Sequence, residues 1–289
     1  MSSPPIRISH LAAGLAAVLA IALAAPTQAQ IGPARRITGA PVANEAVRAR
    51  FAWGGTGNRI IWVNQADEVY YQRVHSNRVD RHIRMRGHTV GVRGDQTEYV
   101  IPWDNNTILV VTQRGSLYRH QIRNESVGPP EQIQGAPVGT QGQDPVFMFR
   151  VANRLINVTQ QGEVWAHQVG NVVSPPQRLG RVAIASPRQV RHVFNVGRAV
   201  YIVSDQGEVY RHDVHPDFGQ GRLVQTRANW FAQPNTRFAF VMNNGLYVVG
   251  PQGELWVHDV SRLMQNRRGV RGQRAAPQPA QPAQPPTGG

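Results

Sequence analysis

The chain has 289 residues, no cysteine, 17% charged residues and a formal net charge of +14. Without cysteine there is neither a disulfide framework nor a thiol to carry a lipid anchor, so the fold must hold by burial alone. Every basic residue is arginine, which suits contact with anionic surfaces or polymers and equally follows from a GC-rich coding bias. No phosphate loop, cysteine zinc spacing or serine nucleophile elbow accompanies that charge, so the composition gives no reason to expect a specific nucleic-acid partner or a cofactor.

Residues 1–29 read as a secretory signal peptide. Arg7 precedes an apolar run from Leu11 to Ala25, and a small-x-small pattern ends at Ala29. That run is about 15 residues, short of the ~20 that span a bilayer. The mature protein is therefore expected to be secreted or periplasmic and not transmembrane.

Residues 30–260 carry a repeat. "ADEVYYQRV", "RGSLYRHQI", "QGEVWAHQV", "QGEVYRHDV" and "QGELWVHDV" begin at Ala66, Arg114, Gln161, Gln206 and Gln252, and their turn positions advance by 48, 47, 45 and 46 residues. Upstream of each lies an apolar run: "NRIIWV", "NTILVV", "NRLINV", "RAVYIV", "NGLYVV". Such runs, rich in Val, Ile, Tyr and Trp around a Gly turn, predict hairpins. A third segment precedes each pair, as in "FMFRV" and "FAFVM", and a weaker fourth follows, as in "EQIQGAPV" and "QRLGRVAI". Four short strands repeated about every 46 residues predict an all-β, five-bladed β-propeller with four-stranded antiparallel blades.

"RRITGAPV" at 35–42 matches the fourth-strand segment "EQIQGAPV", while the fifth hairpin lacks a fourth strand. The ring is thus expected to be closed by an N-terminal outer strand, which removes an open edge. Residues 261–289, basic and then Pro/Gln/Ala-rich, are expected to be a disordered tail.

Alternation places Tyr210, His212 and Val214 on one strand face, with equivalent sets around His120, His167 and His258, and Gln72 standing where the first unit lacks His. On four separate blades these histidines cannot converge on one ion, so they are expected to be structural and no metal site is expected. Glu68, Glu163, Glu208 and Glu254 after the turns are expected to tie turns down. Catalytic carboxylates must face one another across a substrate, and the innermost segments are nearly free of acids, Asp104 excepted. No enzyme activity is expected.

The unit "LYVVGPQGELWVHDV", with "VYIVSDQGEVYRHDV" and "LINVTQQGEVWAHQV", resembles the tachylectin/tectonin-like propeller repeat over residues 35–260. The resemblance implies a lectin-like protein that binds N-acetylated sugars in equivalent pockets between blades. The first unit departs from the pattern, lacking both the turn Gly and the His. Candidate ligand contacts are Trp53 and Trp103 near the loop after the first strand, and Asn58, Asn106, Asn153 and Asn244 just before the second strand; Asn there is equally a turn former. The expected partners are glycans or cell-surface polysaccharide. The alternative is a periplasmic or cell-envelope protein-protein interaction module.

Overall fold

The computed structural model describes residues 31–43, 48–139, 145–159, 161–182, 190–197, 199–214, 218–225 and 236–265. The expected signal peptide and all but the first five residues of the expected tail lie outside these.

Each apolar run pairs with the repeat strand after it, because a one-turn connector leaves the two strands antiparallel. Sheet 1 runs Ala49–Gly55, Arg59–Asn64, Val69–Arg73, Ile83–Arg84. Sheet 2 has the path Thr97–Pro102, Thr107–Thr112, Leu117–Arg123, Glu131–Gly135. Sheet 3 is Pro145–Val151, Arg154–Thr159, Glu163–Gln168, Gln177–Arg181, and sheet 4 is Val190–Val196, Ala199–Ser204, Val209–Asp213, Arg222–Gln225. Sheet 5 is Phe238–Met242, Gly245–Val249 and Leu255–Asp259, followed by the N-terminal strand Ala34–Gly39. The N-terminal strand pairs antiparallel to the last hairpin, Ala34 opposite His258 and Ile37 opposite Leu255. The architecture is an all-β, propeller-like set of mainly antiparallel, four-stranded sheets.

The tight-turn reading holds at all five positions. Gly115, Gly162 and Gly207 have φ 77°, Gly253 87°, and Asp67 adopts φ 58° where the first unit lacks glycine. Asp tolerates this left-handed region better than most residues, which is how that unit dispenses with its Gly.

The second strands are apolar throughout because both of their faces are covered. Ile60 and Trp62 turn toward Phe240 and Val249 of sheet 5, while Ile61 and Val63 turn toward Val100 and Ile108 of sheet 2. The same sharing recurs between sheets 2 and 3 through Leu109 and Leu155, 3 and 4 through Ile156 and Val200, and 4 and 5 through Tyr201 and Leu246. The core is therefore five inter-sheet layers. Asn157 lies within the second strand of sheet 3, fully buried.

Five uniform, purely antiparallel blades are not what forms. Three sheets have four strands, and the other two are lengthened by two-residue parallel pairings. Gly39 pairs with Val79, Gly87 with Val127, and Gly135 with Val173, each linking an outer strand to the neighbouring sheet. The physical reason is close approach. These glycines have φ 116°, 87° and 128°, and a Cβ on any of them would meet the partner's carbonyl oxygen at 2.3 Å. Gly135→Ala should cost about 3 kcal/mol or more, combining left-handed strain with the lost pairing. Gly57→Ala, at φ 66° with open space around it, should cost only about 1–2 kcal/mol. Urea unfolding of the two variants measures the difference.

Past Val260, where the sequence reading ends the ring, Ser261–Gln265 forms a helical turn that buries Leu263 against sheets 4 and 5.

Candidate functional site

The first strand of each sheet is its innermost. These strands neighbour one another in a cycle: sheet 1 beside 2, 2 beside 3, 3 beside 4, 4 beside 5, and 5 beside 1. A cavity of about 670 Å³ lies among them and is lined from all five.

Four of the strands begin with the same irregularity. The register skips a residue between Ala49 and Phe51, Thr97 and Tyr99, Pro145 and Phe147, and Val190 and His192. A bulge of this kind re-aims a side chain. The residue after it is an aromatic ring in every case, and Phe238 holds the corresponding place in sheet 5, opposite Val249 as Phe51 is opposite Val63. Phe51, Tyr99, Phe147, His192 and Phe238 are all half-buried and all line the cavity. The residue just before each ring breaks this regularity: Arg50, Glu98, Val146, Arg191 and Arg237.

Two of these arginines are anchored across sheets. Arg50 donates from Nη2 to Thr97 O at 2.6 Å, and Arg237 donates to Ala49 O at 2.8 Å and Ala43 O at 3.0 Å. In sheet 2 the Tyr99 hydroxyl does the same work, donating to Pro145 O of sheet 3. Arg50 and Arg237 also lie over the rings of Phe51 and Phe238, at 5.1 and 5.3 Å. Toward the far ends of the strands, Arg150 lies 4.8 Å from the Trp103 ring, and Asn195 donates to Arg150 O at 3.1 Å. Asp104 is the carboxylate among the lining residues, and it accepts from the Asn106 amide at 2.8 Å. His192 is pushed down to about 4, chiefly by burial and secondarily by the charge of Arg191, so it is neutral at pH 7.

Trp53 and Trp103 do line this cavity. Trp53 is only 6% exposed, packed among Ile61, Tyr71 and Val100, which leaves it little face for a ligand. The four asparagines do not line it. Their backbone carbonyls instead cap the third strands: Asn58 O accepts from Val74, Asn106 O from Ile122, Asn153 O from Val169 and Asn244 O from Val260. Asn58 and Asn244 take φ of 56° and 35°, and the Asn243 amide donates to Asn58. Turn formation accounts for asparagine at Asn58 and Asn244.

The repeated histidines also have a backbone role. The Nδ1 atoms of His120, His167, His212 and His258 lie 2.9–3.0 Å from the carbonyls of Gly128, Ser174, Gly219 and Gly32. A carbonyl only accepts, so Nδ1 carries the proton. Gln72 reproduces the bond, donating to Asp80 O and Pro41 O at 3.1 Å each. The glutamates serve turns and rims: Glu68 accepts from Tyr70 and pairs with Arg84, Glu208 accepts from Tyr210, Glu163 pairs with Arg178, and Glu254 accepts from the Gln252 amide.

The sequence reading passed over the arginine–aromatic pairs of the inner strands. Aligning "ARFAW", "TEYVI", "PVFMF", "VRHVF" and "TRFAF" would have exposed both the constant ring and the variable residue before it.

No family model matches the chain, and no curated protein matches it. Among solved structures, the chain is similar to glutaminyl cyclase of Myxococcus xanthus, with TM-score 0.48 and 11% identity over 78% of this chain and 95% of that one. It is also similar to virginiamycin B lyase of Staphylococcus aureus, with TM-score 0.41 and 9% identity over 75% and 68%. A third is BamB of Moraxella catarrhalis, with TM-score 0.35 and 14% identity over 72% and 68%.

Proposed function

We propose that this protein is an exported, non-enzymatic binding module: a five-bladed ring, closed by its N-terminal outer strand, that takes one ligand per chain at its axis. Export rests on the leader in the sequence. The cyclic neighbourhood of the inner strands and the pairing of Ala34–Gly39 with Leu255–Asp259 support the closed ring. One observation carries the binding reading: a single cavity of small-molecule size is lined by all five inner strands, at positions where the repeats differ in charge.

A second reading, multivalent glycan binding like that of the tachylectin/tectonin repeat, draws on a different surface. The third strands carry half-buried aromatics beside carboxylates, as in Tyr70–Glu68–Arg84 and Tyr210–Glu208, and Trp165 next to the Glu163–Arg178 pair. Several such weak sites would gain by avidity on a glycan-coated surface.

Stoichiometry separates the two. A glycan array at low and high salt, followed by calorimetric titration of any N-acetylated sugar that binds, should give no more than one site per chain, insensitive to Tyr210→Ala. Several sites per chain, with one lost in Tyr210→Ala, would replace the axial reading with the lectin.

A further inference from the structure

We propose that the axial cavity binds a small anion carried on a planar apolar body, such as an aromatic carboxylate. The inference deepens the one-ligand reading and rests on it. At the position just before the cavity-lining ring (Phe51, Tyr99, Phe147, His192 or Phe238), sheets 4, 5 and 1 carry Arg191, Arg237 and Arg50, whereas sheets 2 and 3 carry Glu98 and Val146. Sheets 4, 5 and 1 are consecutive around the cycle, so the three guanidinium groups form an arc on one side of one mouth. Arg150 adds a fourth positive charge toward the other end. Asp104 is the one carboxylate among the described lining residues; outside the lining, Asp67 lies 3.8 Å from Arg50 and offsets part of its charge, and His192 contributes no charge at neutral pH. With four arginines against Asp104 in the lining and Asp67 beside Arg50, the cavity keeps a net positive charge, and its partly enclosed walls strengthen attraction for an anion relative to bulk water.

The arc is also held in place before any ligand arrives. Arg237 is fixed by two backbone carbonyls, Arg50 by one and by Asp67 at 3.8 Å, and each guanidinium lies over the ring that follows it in the chain. A guanidinium has five donors in a planar fork that matches a carboxylate, and these anchoring bonds leave donors on both residues to spare. Between the two mouths the lining is apolar, with Phe149, Val100, Val193 and Ala239. A volume of about 670 Å³ suits a drug-sized molecule. The acid group belongs at the arginine arc and the flat body belongs among the rings, where edge and face contacts to aromatics favour a planar ligand. The chain's own tail is the wrong occupant, because Arg262 to Arg274 include five arginines and no acid.

The test is calorimetric titration of the full chain with 2-naphthoate, in parallel with its uncharged isostere 2-naphthamide. The expected result is one naphthoate per chain, at least about ten-fold weaker binding of the amide, and weakening in 0.5 M salt. Arg191→Gln changes an exposed residue and should reduce naphthoate affinity about ten-fold without moving the melting temperature, and Arg191→Lys should recover part of the loss. Arg93→Gln, an exposed arginine outside the cavity lining, should change nothing. Equal binding of acid and amide at one site would overturn the anion assignment while leaving the one-ligand reading intact. Several naphthoates per chain would remove the one-ligand reading itself. No binding up to about 5 mM, or equal weakening by Arg191→Gln and Arg93→Gln, would overturn the proposal.

Discussion

Lowering the pH from 8 to 4 is expected to destabilise the fold steeply, by up to about 1.4 kcal/mol per pH unit for each buried histidine that only the unfolded chain protonates. His120, His167, His212 and His258 are essentially fully buried, and burial holds each below the ordinary imidazole range, partly offset by the carbonyl that accepts from Nδ1. His192 is held lower still, at about 4. A folded value below the unfolded one means that the unfolded chain takes up protons first. Stability is therefore flat above about pH 7 and begins to fall near the unfolded value of about 6.5. It continues to fall until each folded group titrates, which for His192 is near 4. Glu68, Glu125, Asp80 and Asp259 have lowered values and add their loss below about pH 4.5. Asp67 runs the other way, raised chiefly by burial, and gives a small opposing contribution.

The protein supplies its own control for that experiment. Gln72 fills the first unit's histidine position, makes the same bond to a carbonyl and cannot titrate. Replacing all four repeated histidines by Gln should leave urea stability at pH 7.5 within a few kcal/mol of the parent and flatten the slope between pH 6.5 and 5. His167→Leu should instead lose about 1–3 kcal/mol at pH 7.5, because the carbonyl of Ser174 loses its donor, and that deficit should shrink as the pH falls because leucine has no proton to take up. A quadruple Gln variant as acid-sensitive as the parent would show that the protons go elsewhere.

Two kinds of feature were legible in the sequence, and they share a cause. The turn glycines could be read because a left-handed backbone restricts residue choice, and Asp67 marks the limit of that restriction. The second strands could be read because burial on both faces demands an unbroken apolar run, as in Ile60 to Val63. The innermost strands were harder. They are covered on two faces but open along one edge, so Phe51 and Tyr99 satisfy packing while Arg50 and Glu98 are free to differ, and no period emerges. The parallel ties through Gly39, Gly87 and Gly135 span two residues each, too few for any pattern. Their glycines do recur 48 residues apart in the chain, but nothing local says that a neighbouring backbone lies within reach. The asparagines were ambiguous for a related reason. An Asn before a strand serves a ligand or a turn equally well in the sequence, and at Asn58, Asn106, Asn153 and Asn244 the backbone carbonyl accepts from an amide at or just past the end of the third strand.

Removing residues 31–43 should be the most damaging change of all, and it tests ring closure directly. The segment does more than add a strand. Ile37 is buried against Leu255, Gly32 supplies the carbonyl that His258 holds, Gly32 N bonds Asp259 O at 2.9 Å, and Val42 N bonds Gly253 O at 2.8 Å. It also reaches the next sheet, where Arg35 donates to Ser76 O at 2.6 Å and Thr38 N to Asn77 O at 3.1 Å. Without it, Leu255–Asp259 becomes an exposed edge of the kind that recruits other chains, and the layer between sheets 5 and 1 loses one wall. Against a total stability on the order of 5–15 kcal/mol, the truncated chain should lose its cooperative melting transition and self-associate. Gly39→Ala provides a graded version, since its Cβ would meet Val79 O at 2.3 Å; it should lower stability by about 3 kcal/mol while the protein stays folded and monomeric. A synthetic peptide of residues 31–43 added to the truncated chain should restore the transition in a concentration-dependent way, as binding to the folded state requires. An open array whose sheets contact only sequence neighbours would lose no more than its terminal layer. A truncated chain that melts within a few degrees of the parent would therefore overturn the closed-ring reading.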